Sequence, residues 1–163
     1  MLLTLFAPMN AHATTLGGKW PYSGTFTLYY SYGGAHTYNG NIWQGAANWS
    51  ATPTKVNIGQ WPGVPYRIDL DVVDQNNSAT WWGMTVLNPC NTCSYTRSTI
   101  YMNTRTLGPE SDFTRTKVAT HEFGHSFGLA HPSGSATSVM NQGYLNYNKP
   151  QTYDINDTNR IYP

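Results

Sequence analysis

The sequence predicts an α+β domain, and three observations lead there. Charged residues make up only 10% of the chain and aromatic residues 14%, a balance that suits a packed, strand-rich fold and argues against disorder. Five segments in the first two-thirds carry β-branched and aromatic residues in partial alternation. Two later segments switch to helical periodicity. At 163 residues the chain has room for one domain with a continuous core.

The first thirteen residues stand apart. Met1 to Met9 is a short apolar stretch, and Ala11-His12-Ala13 is a small-x-small cleavage site. Together they read as the end of a secretory signal peptide, so a secreted domain over residues 14–163 is expected, with Thr14 at its mature N-terminus. An ordinary hydrophobic strand is the alternative.

Gly24 to Tyr32 (GTFTLYYSY) is the first expected strand. Thr37 to Ala51 places Ile42, Ala46 and Trp49 at helical spacing, and Pro53 bars continuation. Lys55 to Gln60 sets Val56 and Ile58 on one face of a second strand. Tyr66 to Val73 alternates Ile68, Leu70 and Val72 against Asp69 and Asp71, which predicts a half-buried third. Trp81 to Leu87 and Ser98 to Asn103 supply two more. The loop between them holds the only cysteines, Cys90 and Cys93, and in an exported chain this spacing predicts a local disulfide, with two free thiols as the alternative. Ser111 or Asp112 then caps a helix from Phe113 to Leu129, with Val118, Phe123 and Phe127 facing the core. A short helix from Tyr153 to Ile161 closes the chain.

A net charge of +1 gives no electrostatic case for nucleic acid or an anionic membrane. No apolar run is long enough to span a bilayer.

Residues 121 to 131 read His-Glu-Phe-Gly-His-Ser-Phe-Gly-Leu-Ala-His. On a helix, His121 and His125 are about 6 Å apart in rise and roughly 40° apart around the axis, so both imidazoles reach one ion. Ten residues of straight helix would carry His131 about 15 Å away from His121. The chain must therefore turn, and Gly128 is where a positive φ costs least. Three nitrogen ligands with a fourth position open to water describe a catalytic zinc site, whereas structural zincs are closed by four protein ligands. Glu122 sits where its carboxylate reaches that water without ligating the metal. His36 fits no such pattern.

His121-Glu122-x-x-His125-x-x-Gly128-x-x-His131, followed by Ser138-Val139-Met140, resembles the signature of the metzincin zinc endopeptidases with their Met-turn. Within that clan the chain is most similar to the matrixins, from about Gly24 to Tyr162, with a close match over residues 118 to 140. The resemblance implies a twisted mixed sheet of about five strands, an active-site helix, a Met-turn and a C-terminal helix. It places Met140 under the zinc as an apolar floor and Tyr144 on the wall of the pocket beside the cleaved bond. It has Asp154 tie the last helix to the Met-turn. It also implies a protein or peptide substrate, extended along the edge strand near Trp81 to Leu87, and one catalytic zinc with Glu122 as general base.

Departures from the family pattern matter. Pro132 follows the third histidine where matrixins carry serine, as in the serralysin branch. Gln142 stands where serralysins and astacins have a zinc-touching tyrosine. Asp74-Gln75-Asn76-Asn77-Ser78 lacks the glycine and distal glutamate of an EF-hand loop, so calcium has no support and a solvated turn is expected. A monomer is expected. A zinc-containing polymer-binding module and a zinc hydrolase of non-peptide substrates are the alternatives.

Overall fold

The computed structural model describes residues 15–163; the expected leader and its cleavage point lie outside the described residues. The elements run β1 (Phe26–Gly33), α1 (Asn39–Ser50), β2 (Val56–Gln60), β3 (Leu70–Gln75), β4 (Gly83–Asn88), β5 (Arg97–Asn103), α2 (Thr104–Leu107), α3 (Asp112–Ser126) and α4 (Thr152–Ile161). The strands form one sheet in the order β2-β1-β3-β5-β4. Pairing is parallel except at the edge, where β4 runs antiparallel to β5. This is the mixed five-stranded sheet that the family resemblance implies. Parallel neighbours cannot be joined by a tight turn, and α1 supplies the crossover between β1 and β2.

One apolar core joins sheet to helices. Leu28, Tyr30, Val56, Ile58, Leu70, Val72, Ile100 and Met102 are buried from the strands, and Ile42, Ala46, Trp49, Val118, Phe123 and Phe127 from the helical side. The expected inward faces of both helices are thus the buried ones. Helices α1 and α3 come close because Gly45 has no side chain: a Cβ there would lie 2.9 Å from that of Ala119. Trp49 locks the pair, donating its Nε1–H to the Thr120 carbonyl at 2.7 Å and meeting Phe127 edge-on at 4.5 Å.

Three local expectations change. The third strand starts at Leu70, not Tyr66, because Asp69 is spent on caps. It is buried, its carboxylate accepts from the Tyr29 amide at 3.0 Å and from Arg67 Nε at 2.6 Å. Helix α3 ends at Ser126, three residues short of Leu129, and Ser111 rather than Asp112 caps it by accepting from the Thr114 amide at 3.2 Å. A four-residue helix, α2, follows β5 with Asn103 as its cap; it is too short to leave a periodic trace.

The turn after Asp74 is organised by side chains. Asp74 accepts from the Tyr32 hydroxyl and from the Thr37 amide at 2.9 Å. Arg105 gathers the carbonyls of Asn77 and Ala79 at 3.0 and 2.9 Å, so a guanidinium holds the backbone oxygens of this loop. Cys90 and Cys93 form the expected local disulfide.

Candidate active site

Helix α3 presents His121 and His125 one turn apart, and the chain then reverses. Gly128 adopts φ +102°, its amide bonds the His125 carbonyl at 3.0 Å, and the Leu129 amide bonds Gly124 at 3.1 Å. These two bonds are a Schellman ending with glycine at the left-handed position. The reversal brings His131 back. The three Nε2 atoms stand 3.1 Å from one another, pair by pair.

Three ring nitrogens this close are not mutual donors. His121 Nδ1 lies 2.9 Å from the Val139 carbonyl and His125 Nδ1 lies 2.7 Å from the Leu129 carbonyl. A carbonyl only accepts, so Nδ1 carries the proton on both rings and Nε2 keeps its lone pair. Burial lowers all three imidazole pKa values, that of His121 well below the ordinary range and that of His131 to about 4. Neutral rings are the metal-binding form.

The cluster fits zinc. Tetrahedral coordination at ~2.0–2.1 Å sets ligand nitrogens about 3.3–3.4 Å apart, close to the separation present here. Among the described residues this is the one group of three or more metal-ligating side chains that converge.

Below it lies Met140, buried, with Gly124 of α3 open to receive it: a Cβ on Gly124 would fall 2.4 Å from the Met140 sulfur. The turn that carries Met140 is fastened from α4. Asp154 accepts from the Ser138 hydroxyl and from the Val139 amide at 2.9 Å, and Ser138 Oγ accepts from the Met140 amide at 3.0 Å. Because His121 Nδ1 bonds the Val139 carbonyl, this tether reaches the imidazole cluster through two bonds.

Glu122 is 4% exposed. Its Oε2 accepts from the Thr85 hydroxyl at 2.7 Å, and burial pushes its carboxyl up to about 7. It walls two cavities. One, of about 270 Å³, also includes His121, His125, His131, Leu16, Met84 and Thr85. The other, of about 290 Å³, is bounded by Thr80 to Gly83, Lys117, Val118 and Gln142 to Gly143. Gly83, His121, Glu122 and Gln142 belong to both. Strand β4 is the edge strand alongside.

Tyr144 stands beside this second cavity. It is 71% exposed, donates to Glu110 at 2.9 Å and packs edge-on against Trp82 at 4.8 Å, so it reaches the cavity through Trp82. Two participants escaped the sequence reading. Thr85 left no signal, being one more β-branched residue in a strand. Lys117, on the motif helix, looks from sequence like a solvated lysine, yet it is 3% exposed.

The sequence matches the family described as Matrixin, a peptidase family, over residues 29–162. Two solved structures of myroilysin share the fold. One has TM-score 0.58 and 13% identity and covers 97% of each chain; the other has TM-score 0.52 and 14% identity and covers 95% of this chain and 97% of its own. No curated protein matches the sequence at a significant level.

Proposed function

Taking as premise that the chain belongs to the matrixin family and is a metalloendopeptidase domain, we propose that it hydrolyses peptide bonds with Glu122 as general base. The metal would be a single zinc held by His121, His125 and His131. When bound, zinc supplies Lewis acidity for water activation and carbonyl polarisation. The observation that carries the reading is the shared wall: Glu122 and the three converging imidazoles line one cleft.

The residues divide the work. Glu122, its carboxyl raised to about 7 by burial, is matched to accept a proton from attacking water near neutral pH and to return it to the departing amine. Thr85 holds one carboxylate oxygen, which leaves the other for the water. Strand β4 has a neighbour on one side only, so its outer edge offers backbone groups to an extended substrate. Met140 supports the ligand helix from below, and Tyr144 with Trp82 flanks the substrate path.

Glu122→Gln tests the assignment. The variant should keep one zinc per chain and lose about 10²–10⁴-fold in casein or gelatin turnover. Undiminished turnover would remove Glu122 from the mechanism. The domain is further proposed to be secreted; the Cys90–Cys93 disulfide supports an oxidising compartment. N-terminal sequencing of protein recovered from the medium should begin at Thr14, and retention of residues 1–13 would contradict the signal reading.

A further inference from the structure

The cleft that holds the three imidazoles is walled on one side by a segment outside the sheet and the helices. Leu16 lines it together with Met84, Leu87 and Asn91. The chain from Thr15 to Trp20 runs as a strap past the end of α3. Thr15 pairs antiparallel with Leu129, and the Leu16 amide donates to the Gly128 carbonyl at 2.9 Å. The Gly18 amide donates to the Asn91 carbonyl at 2.9 Å, inside the ring closed by Cys90 and Cys93. Strap and disulfide loop meet because Gly18 has no side chain: a Cβ there would fall 2.3 Å from the Cys93 carbonyl oxygen. At the far end Trp20 is fully buried. It gives its Nε1–H to the Ser126 carbonyl at 2.9 Å and its amide to the Tyr162 hydroxyl at 3.1 Å. Held at both ends, the strap is a fixed wall.

We propose that Leu16 is a specificity-determining residue, forming with Leu87 a subsite for an aliphatic or aromatic side chain of the peptide substrate. The proposal rests on the reading of Glu122 and the three imidazoles as the hydrolytic centre. Leu16 packs partly on the core, and its remaining surface meets the cleft, an apolar face held ready for an apolar partner. Strand β4 brings Leu87 to the same cleft, two residues past Thr85 and on the same face of the strand. Of the described residues that line this cleft, only Glu122 and the imidazoles ionise, so a charged substrate side chain at Leu16 would find no counterion. Leu16 and Leu87 line this cleft and not the second cavity. The two spaces meet at Gly83 and Glu122, so a substrate bound across them places one flank of the cut bond in each. Leu16 therefore acts on one flank.

The test uses the zinc-loaded protein and fluorogenic peptides varied singly at the three positions on either side of the cut, each carrying Ala, Leu, Phe, Asp or Lys. At one position, kcat/KM for Leu should exceed that for Ala by at least about tenfold. Leu16→Ala should reduce this ratio about tenfold, and Leu16→Asp should turn the preference at the same position to Lys. Leu16→Phe, which keeps the wall apolar and narrows the subsite, should favour Ala over Phe there. Preferences on the other flank should stay as in the wild type. Equal loss on every peptide in Leu16→Asp and Leu16→Phe, or no position that responds, would overturn the proposal, leaving the strap as a brace for the turn at Gly128. Fluorescence anisotropy of labelled peptides separates this from the hydrolytic reading. Position-specific binding that changes with Leu16, without cleavage of any peptide, sustains the subsite and removes the hydrolysis. Cleavage indifferent to Leu16 at every position does the reverse, and neither binding nor cleavage removes both.

Discussion

Glu122 owes its place to a residue without a side chain. A Cβ on Gly83 would lie 2.7 Å from both Cγ and Oε1 of Glu122 and 2.8 Å from Cγ1 of Val118, closer than packed atoms come. Gly83→Ala should therefore turn the carboxylate away, lowering kcat by about 10²–10⁴-fold with zinc stoichiometry unchanged. Steady-state rates beside metal analysis check this, and an unaffected kcat would mean that β4 does not position a carboxylate the reaction needs. Away from the cleft, Asp71 bonds Arg97 Nη2 at 2.8 Å and Ser31 at 3.0 Å. The guanidinium holds its carboxyl below the usual range. A folded-state pKa below the unfolded one stabilises above the unfolded value, and the gain disappears as pH falls through the folded one. Asp71→Asn should thus cost less than about 1 kcal/mol at pH 7, because the pair is partly solvated. Near pH 2 it should cost less, as the carboxylate takes up its proton. Denaturant titrations at the two pH values measure it; an equal cost at both would rule out the ion pair as its source.

Between residue and fold, the reversal after α3 decides whether His131 joins the other two imidazoles. Gly128 sits at φ +102°, and a Cβ would meet the Gly18 carbonyl at 2.8 Å, so both conformation and space demand glycine. Gly128→Ala should destabilise the domain by about 1–3 kcal/mol and weaken zinc binding, as read by thermal melts and competition with a chelator. Unchanged affinity would uncouple the turn from the site. Asp154→Ala, which strips acceptors from buried donors on Ser138 and Val139, should cost roughly 3 kcal/mol. This turn and the convergence of the three imidazoles were legible because a short-range spacing rule, His-x-x-x-His with a glycine three residues on, encodes them. The span from Tyr66 to Asp69 misled because alternation cannot tell a strand face from Asp69 capping the Tyr29 amide across the sheet. Lys117 was illegible as a buried group. Its surroundings come from β4 and the Asn141 loop, both distant in sequence.

At the scale of the molecule, the core that joins the sheet to α1 and α3 is built of apolar side chains, and none of the three imidazoles belongs to it. Removing zinc should leave far-UV circular dichroism and a cooperative melt intact, with a lower Tm that added zinc restores by mass action. Collapse of the secondary structure on chelation would show instead that the metal holds the fold. The order of strands and the single antiparallel edge could not be read from periodicity; family resemblance supplied the mixed sheet. In the proposed site one zinc sits on three imidazoles with Glu122 beside its open face. Anomalous diffraction at the zinc edge tests it most directly. A single peak should lie about 2.0–2.1 Å from Nε2 of His121, His125 and His131, with no fourth protein ligand. A peak elsewhere, or a site closed by a fourth side chain, would contradict it.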